Sequence, residues 1–328
     1  MFKNKKILFI SARFFNYEEQ IKCKLEELGA EVYFEDERPS NSFLSKLFIR
    51  VYPRIIHEKI KMYYEDIFNR YREKEIDYIF FIKAEAVPKE SLEKIIDCHP
   101  DAKKILYLWD SLHYNPNAKK VLELFDVVYS FDLDDCDSEK KLRYQPLFYS
   151  DPFKKEFECN IDYDWCFIGS IHTDRYKILR RLIIESKKKN FNYYIYCYYP
   201  SKALYFARCL FDWSFLSFTY KQVKFKSLTL DEISEIMSRS NVIVDINRKM
   251  QRGMTMRSIE TLGAKKKLLT TNNVNDIKGI FPSDSVGYLE RENVELDIHF
   301  LKNNVSKKNF LNSNYSVEGW LKKIFNNV

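Results

Sequence analysis

Apolar residues recur along this chain in two patterns, as short continuous runs and at helical spacing. Runs of at least four apolar residues occur at 7–11, 78–83 and 104–109. After the first run, Tyr17, Ile21 and Leu25 recur at helical spacing, and Gly29 follows at the position of a helix C-cap. Buried strands that alternate with amphipathic helices are typical of a parallel sheet covered on both faces. The pattern therefore predicts an α/β fold.

The same alternation starts again after residues 148–162, which carry a proline and many charges without a clear period. We therefore expect two domains, 1–155 and 156–328. Each is expected to be Rossmann-like, with ligands at the carboxyl ends of parallel strands and the two sheets facing a central cleft. The final amphipathic helix, at 315–325, belongs to the second domain or packs back on the first. Further strands are predicted at 31–34, 127–131, 165–168, 193–198, 223–226, 242–246 and 267–271, and further helices at 43–72, 89–97, 118–125, 138–142, 201–213 and 230–238.

Glycine is scarce, and this excludes two common nucleotide-binding classes. The chain has seven glycines, and Gly29 alone precedes residue 169. A glycine-rich phosphate loop of the P-loop or dinucleotide type is therefore impossible in the first half, and neither pattern occurs in the second. The simplest ATPase and dehydrogenase interpretations are excluded.

Cysteine usage and charge indicate where the protein works and what it binds. The seven cysteines are scattered without a CxxC pair, which predicts reduced thiols, no zinc site and a cytoplasmic protein. No apolar run approaches the ~20 residues that span a bilayer, so we expect a soluble chain. The 54 basic residues are interleaved with 47 acidic ones, which disfavours nucleic-acid binding. The net charge of +7 reflects either a lysine-rich composition or attraction to anionic partners.

The densest candidate chemistry lies in the second half, at 241–273. A predicted buried strand leads into a basic loop with Gly253, and a helix carrying Arg257 and Glu260 follows. A basic loop before a helix N-terminus predicts a phosphate site, and a carboxylate one turn inside the helix can reach neighbouring hydroxyls. The alternatives are a solvated basic loop and a surface ion pair. The full set of predicted phosphate- and hydroxyl-binding residues is Gly169, Ser170, Arg175, Asn247, Arg252, Gly253, Met254, Thr255, Arg257 and Glu260.

A second set of polar residues follows the predicted strands of the first half. Asp110 and His113 come directly after the strand at 104–109 and offer a carboxylate and an imidazole as catalytic base, with Asp110 preferred. The alternative is a helix N-cap aspartate and a surface histidine. Arg13, Lys83 and Glu85 end other strands of the first half. They are expected to line the cleft on the side of the first domain, where a second (acceptor) substrate would bind.

Four segments resemble one enzyme family. GMTMRSIETLGAKKKLLTTN (253–272) and FIGS (167–170) resemble the donor-binding segments of GT-B glycosyltransferases of the CgeB-like and family 4-like kind. YLWDSLHYNPN (107–117) and VVYSFD (127–132) resemble glycosyltransferases of capsule and lipopolysaccharide clusters. The resemblance implies a GT-B fold, a nucleotide-diphosphate-sugar donor in the second domain, a glycan or lipid-linked acceptor in the first, and no metal or other cofactor.

The resemblance also implies one residue role and shows one departure. Glu260 takes the place of the glutamate that binds the ribose. Family 4 enzymes carry another glutamate eight residues earlier, where this chain has Arg252. The resemblance therefore does not extend to their retaining chemistry.

The sequence also allows two other enzyme classes and one contact with a membrane. Asp132 and Asp134 form a DxD after a predicted strand, as in metal-dependent GT-A transferases, or they cap a helix. A GT-B-fold sugar-nucleotide epimerase or hydrolase is the second alternative. Residues 43–72 mix apolar and basic residues, which predicts either core-packing helices or a peripheral contact with the inner face of the cell membrane.

Overall fold

The structure, a computed structural model, describes residues 1–40, 53–219, 222–277, 279–303, 305–307, 310 and 313–326. The chain forms two compact units. The first combines Met1–Leu147 with Val317–Val328, and the second is Phe148–Ser316. Within the described part of the chain, every helix is too short or too polar to span a lipid bilayer.

The first unit is built on one parallel sheet. Its strands are β1 (Lys6–Ser11), β2 (Glu31–Asp36), β3 (Tyr78–Ile82), β4 (Lys103–Leu108), β5 (Val127–Ser130) and β6 (Leu142–Tyr144), and its helices are α1 (Tyr17–Glu27), α2 (Pro53–Tyr71), α3 (Lys89–Asp97), α4 (Leu133–Ser138) and α12 (Val317–Asn326). The six strands are ordered β2-β1-β3-β4-β5-β6, and every pair is parallel. From β1 the chain first adds β2 on one side of the strand and then β3 on the other side. The topological switch point therefore lies between β1 and β3.

Helix α12 packs on the sheet of the first unit. The Trp320 ring lies 4.8 Å from that of Tyr107 in β4, and the Phe325 ring lies 5.2 Å from that of Phe80 in β3. The hydroxyl of Tyr129 donates to the carbonyl of Ile324 at 3.2 Å. Burial of these large aromatic side chains joins the end of the sequence to the first unit.

The second unit repeats the architecture. Its strands are β7 (Tyr163–Ser170), β8 (Tyr193–Tyr198), β9 (Val223–Lys224), β10 (Ser240–Asp245), β11 (Lys267–Thr270) and β12 (Val286–Tyr288), and its helices are α5 (Arg175–Lys189), α6 (Lys202–Phe211), α7 (Trp213–Thr219), α8 (Leu230–Ser238), α9 (Met256–Gly263), α10 (Val274–Ile277) and α11 (Ile298–Lys302). The order is β12-β11-β10-β7-β8-β9, and every pair is parallel. The switch point lies between β7 and β10, the two strands that lead into the predicted donor residues.

The unit boundary lies after Leu147 and not after residue 155. The Tyr149 N–H donates to the Tyr315 carbonyl at 2.8 Å, and the Ser234 hydroxyl donates to the Pro152 carbonyl at 2.7 Å. A Cβ atom at Gly263 would lie 2.6 Å from the Tyr149 ring, so the ring needs a glycine there. These contacts hold residues 148–155 in the second unit.

Three predicted helices differ from the observed elements. Residues 118–125 form two short 3₁₀ turns, Ala118–Lys120 and Leu122–Leu124. The helix predicted at 138–142 ends at Ser138 as α4, and the chain then enters β6. The helix predicted at 201–213 is two helices, because the Asp212 carboxylate accepts the Phe215 N–H at 3.0 Å and starts α7 anew.

Part of the region 43–72 packs into the core of the first unit. Helix α2 buries Ile60, Tyr64, Ile67 and Tyr71, and the hydroxyl of Tyr64 donates to the Glu37 carbonyl at 3.0 Å. This supports the core-packing interpretation for α2. Residues 43–52 lie outside the described residues.

Candidate functional site

Arg175 joins the ends of the two central strands of the second sheet. Its Nε donates to the Ile246 carbonyl at 2.6 Å, after β10, and its Nη1 donates to the Ser170 carbonyl at 2.8 Å, at the end of β7. A Cβ atom at Gly169 would lie 3.7 Å from Nη1. Burial lowers the pKa of Arg175 to about 10, so it stays charged at neutral pH. Gly169, Ser170 and Arg175 therefore lie together at the end of β7, and their binding of a donor stays a prediction.

Four arginines of the second unit lie close enough to influence one another or a shared neighbour. Burial lowers the pKa of Arg175, Asp245 and Asp174 oppose this shift, and Arg248 and Arg291 add to it. The pKa of His172 is lowered to about 3 by burial and by Arg175, Arg248 and Arg208, so its imidazole is neutral at neutral pH. We call Arg175, Arg208, Arg248 and Arg291 the arginine cluster. Asp174 and Asp245 lie among these arginines, so the four guanidinium groups leave an excess of positive charge at the carboxyl edge of the sheet.

Arg291 holds the loop after β10 against helix α5. Its Nη2 donates to the carbonyl and to Oδ1 of Asn247, each at 2.7 Å, and its Nη1 lies 3.1 Å from the Asp174 carboxylate. Asn247 Nδ2 donates to the Gln251 carbonyl at 2.7 Å, and Thr271 Oγ1 donates to Asn247 Oδ1 at 2.7 Å. Asn247 is therefore the centre of the loop and is itself buried.

Helix α9 begins on a buried carboxylate. Thr255 is its N-cap and accepts the Ser258 N–H at 3.3 Å. The Thr255 hydroxyl also donates to Asp245 Oδ2 at 2.8 Å, and the Ser258 hydroxyl donates to the same oxygen at 2.6 Å. Asp245 ends β10 and is 3% exposed. The helix N-terminus is thus attached to the switch point, and the preceding Gly253 and Met254 are buried.

Glu260 and Arg257 form a buried pair and not a surface pair. Arg257 Nη1 lies 2.5 Å from Glu260 Oε2, and the Glu260 side chain is fully buried while that of Arg257 is 13% exposed. Arg257 Nε also donates to the Ile168 carbonyl of β7 at 3.2 Å. The pair therefore lies beneath the end of β7. Binding of ribose by Glu260 stays a prediction.

Arg252 makes a two-pronged contact with helix α10. Its Nη2 lies 2.8 Å from Asp276 Oδ1 and its Nε 3.1 Å from Oδ2. The Asn272 side chain donates to the Arg252 carbonyl at 3.0 Å. Arg252 thus pairs with an acid on the next helix, which gives it a structural role.

In the first unit, three predicted residues meet at the ends of β3 and β4. Lys83 Nζ lies 2.8 Å from Asp110 Oδ2 and 3.4 Å from Glu85 Oε2, and Arg38 pairs with the same Glu85. Lys83 has a φ of 87°, a left-handed conformation that costs an L-residue free energy. The Asn115 side chain donates to the Lys83 carbonyl at 2.6 Å, which supports this turn.

Two other predicted residues lie at the surface. His113 is exposed, and its ring packs edge-to-face against Tyr114 at 4.8 Å. Arg13 is 63% exposed and lies 3.5 Å from Asp36 at the end of β2.

Buried Glu37 adjoins the Lys83–Glu85 group. Its Oε1 accepts the Ala86 N–H at 2.7 Å, and among the described residues Oε2 has no hydrogen-bond partner. Burial raises the pKa of this carboxyl to about 7. The sequence shows no signal for it, because Glu37 follows a strand in an acidic stretch with no motif.

The acidic DxD serves as a helix cap. Asp132 Oδ1 accepts the Asp134 N–H at 3.0 Å and caps α4, while Asp135 accepts the Ser130 hydroxyl at 3.1 Å. In the ranges that the structure describes, no group of three or more His, Cys, Asp or Glu side chains is arranged to hold a metal ion. The capping interpretation is therefore the one the geometry supports.

Sequence reasoning missed His172, Arg208 and Arg291. His172 and Arg208 lie in a loop and a helix without a motif. Arg291 follows β12, a strand of three residues that has no recognisable apolar run. Their role emerges only when parallel strands bring three distant loops to one edge.

Two parallel six-stranded sheets with helices, in two units along one chain, define the GT-B fold. The chain matches no protein-family model, and no curated protein matches it. It is similar over 98% of its length to the apo form of WaaB, a lipopolysaccharide outer core galactosyltransferase, with 98% of that chain covered, 11% identity and a TM-score of 0.57.

Two further solved structures share the fold. HepE from Anabaena, in complex with UDP and glucose, is 10% identical with a TM-score of 0.58, with 99% of each chain covered. The UDP-GlcNAc 2-epimerase of Methanocaldococcus jannaschii, in complex with UDP-GlcNAc and UDP, is 10% identical with a TM-score of 0.56, with 98% of this chain and 99% of that one covered. At this identity the likeness establishes the GT-B fold.

Proposed function

We propose that this protein is a glycosyltransferase that moves a sugar from a nucleotide-diphosphate-sugar donor to a surface polysaccharide or lipid-linked glycan. The observation that carries the proposal is that guanidinium groups lie at the switch point of the second sheet. Arg175 donates to the Ser170 carbonyl at the end of β7, and Arg291 donates to the Asn247 carbonyl after β10. Ligands of parallel α/β sheets bind at this point, and guanidinium groups suit phosphate oxygens. Two structures of the same fold are complexes with UDP, which supports a nucleotide diphosphate here.

The donor side is proposed to work by charge. As the bond between the sugar and the diphosphate breaks, negative charge develops on the leaving group, and nearby cations stabilise it without a metal. Arg248 and Arg291 belong to the loops that meet at this edge. Gly169 and Ser170 have small side chains, which leaves room for a diphosphate beside the backbone at the end of β7. Glu260 is proposed to accept hydrogen bonds from the ribose.

The acceptor side is proposed to use Asp110. In the reaction, an acceptor hydroxyl bonds to the anomeric carbon, the carbon–oxygen bond to the diphosphate breaks, and the hydroxyl proton passes to Asp110. Lys83 orients this carboxylate at 2.8 Å. Arg13, Glu85 and the second candidate base His113 complete the proposed acceptor side.

Binding of nucleoside diphosphates tests the donor site directly. We expect UDP or another nucleoside diphosphate to raise the melting temperature of the protein, and Arg248→Met to weaken the affinity about tenfold or more, because a charged hydrogen bond is lost. Titration calorimetry measures the affinity. The matched control is Arg239→Met, because Arg239 pairs with Asp162 just before β7 and β10, at the opposite edge of the same sheet. Equal losses in both variants, or no response to any diphosphate, would contradict the site.

Product analysis separates transfer from the alternative activities. Incubation with the donor alone yields a changed or hydrolysed sugar nucleotide if the protein is an epimerase or hydrolase, an alternative that the epimerase of the same fold makes worth testing. Transfer requires the acceptor. Activity that survives a chelator and Asp132→Ala is expected for a metal-independent enzyme.

Location at the inner face of the cell membrane, with contact through 43–72, is part of the proposal. Lys59 and Lys61 of α2 are exposed and provide the charge. Reversal of these two charges tests that contact.

A further inference from the structure

Helix α6 exposes an apolar side to solvent. Phe206, Leu210 and Phe211 are 61%, 85% and 92% exposed, and Trp213 at the start of α7 is 79% exposed. The opposite side of α6 is buried through Tyr205 and Cys209. A helix that is apolar on both sides is normally enclosed, so a partner is expected to cover the outer side.

Apart from Lys202 at its first position, the outer side of α6 carries no charged group. Its exposed residues between the helix ends are Ala203, Leu204, Phe206, Ala207, Leu210 and Phe211. The arginine of the helix turns inward, since the Arg208 guanidinium lies 4.0 Å from the centre of the Phe215 ring and donates to the Thr173 carbonyl at 3.2 Å. A contiguous exposed apolar surface of this kind marks an interaction site.

The surroundings of this surface are cationic. Residues 202–226 contain five basic residues and one acidic residue. Lys202, Lys224 and Lys226 are exposed. Lys202 Nζ lies 5.8 Å from the ring of Phe225, which follows β9 between the other two lysines, so this part of the chain lies beside the first turn of α6. The acid, Asp212, is occupied by the Tyr176 hydroxyl at 2.8 Å and the Phe215 N–H at 3.0 Å.

The chemistry of this surface fits one occupant. Exposed aromatic and aliphatic side chains enter the boundary between headgroups and acyl chains, tryptophan prefers that boundary, and lysines at the rim bind anionic headgroups. The excess of basic over acidic residues at the rim favours this occupant over a second copy of the chain, because two such surfaces would bring mostly like charges together.

We propose that the apolar side of α6, with Trp213 and the lysines 202, 224 and 226, is a docking surface for anionic lipid membranes. The inner side of α6 contacts Thr173, in the loop that also holds His172, so the surface adjoins the donor side of the same unit. The proposal is independent of the transfer reaction, and the surface differs from the region 43–72.

Vesicle flotation of the full chain tests the proposal. Vesicles of phosphatidylcholine alone are compared with vesicles of phosphatidylcholine and phosphatidylglycerol in equal parts. We expect the wild type to float with the anionic vesicles. The double variant L210E/F211E should lower the bound-to-free ratio about tenfold or more. K224E/K226E should also lower this ratio, and the difference from the wild type should shrink as the salt concentration rises.

Two matched variants serve as controls. I184E changes another exposed apolar residue, on α5 of the same unit, and K59E/K61E reverses two exposed lysines of α2. We expect I184E to keep the wild-type flotation, and K59E/K61E to lose only the share of binding that the region 43–72 contributes. Unchanged flotation of L210E/F211E, or a loss with K59E/K61E alone, would overturn the proposal and in the second case favour the region 43–72.

Two further measurements exclude other causes. The melting temperature and its response to UDP report folding and donor binding, and both should be unchanged in L210E/F211E. Sedimentation velocity without vesicles detects self-association. A dimer that L210E/F211E dissociates, with no flotation of the wild type, would assign the surface to a second copy and overturn the membrane proposal.

Discussion

At the scale of single residues, several side chains that were predicted to bind a ligand make contacts within the protein that stabilise strand ends and helix starts. Arg175 donates to two strand-end carbonyls, Arg252 pairs with Asp276, and Thr255 donates to Asp245. A residue beside a substrate must be held in place, and these contacts provide that support. Arg248 and Glu260 remain the residues on which the donor prediction depends.

Glu37 makes a pH-dependent contribution to stability. Burial raises its pKa in the folded protein to about 7, above the ordinary value of 4.5 for a glutamate. Between these values the folded state binds the extra proton, so stability falls as the pH rises through that range. The difference of about 2.5 pH units corresponds to about 3 kcal/mol. We expect Glu37→Gln to remove this part of the loss of urea-unfolding free energy between pH 5 and pH 8.

Glu75→Gln is the matched control, because Glu75 is 91% exposed at the surface of the same unit. Its pH dependence should equal that of the wild type. An unchanged pH dependence in Glu37→Gln would show that the buried carboxyl does not titrate in this range.

At the scale of elements, the N-terminus of α9 connects stability to the donor site. Thr255 caps this helix and also donates to Asp245 at the end of β10, at 2.8 Å. The loop that carries Arg248 and Asn247 lies between these two points in the sequence. A change at the cap therefore alters the end of the strand, the loop and the start of the helix together.

Thr255→Ala is expected to lower both stability and donor affinity. Loss of an N-cap costs about 1 kcal/mol. The matched control is Thr229→Ala, since Thr229 caps α8 and accepts the Glu232 N–H at 3.2 Å. We expect similar losses of unfolding free energy but a lower affinity for UDP in Thr255→Ala alone, measured by calorimetry. Equal affinities for UDP in the two variants would show that the cap of α9 does not contribute to donor binding.

At the scale of the whole molecule, the order of residues in the chain differs from the order of the units. The last helix belongs to the first unit, where Trp320 is fully buried against Tyr107. Stability of the first sheet therefore depends on residues that follow the complete second unit in sequence. The GT-B fold implied by the sequence resemblance is confirmed at this scale.

Trp320→Ala is expected to destabilise the first unit by about 3–5 kcal/mol, because it leaves a large cavity. In calorimetry, the first unit should unfold at a lower temperature than in the wild type, while UDP should still raise the melting temperature of the second unit. Trp213→Ala is the matched control, since Trp213 is 79% exposed and should change stability by less than about 0.5 kcal/mol. A wild-type transition in Trp320→Ala would contradict the packing of α12.

Much of the fold was predictable where strands are long and buried. The runs at 78–83 and 104–109 became β3 and β4 because both faces of these strands are covered. The prediction failed at 118–125 and 138–142, where apolar residues pack without a hydrogen-bonded helix of the predicted length. It missed β12 because a strand of three residues, Val286–Tyr288, is defined by its neighbour β11.

The sequence by itself determined the two α/β halves, and it marked the segments 167–170 and 253–272 as the predicted donor-binding segments. Both depend on local spacing and on strand ends, which are properties of neighbouring residues. Only the tertiary structure decided that Glu260 is buried with Arg257, that Arg252 pairs with Asp276, and that Arg291 joins Asn247. The physical reason is that parallel strands bring together loops far apart in sequence. Burial and pairing of a charge depend on those distant loops, and no local pattern records them.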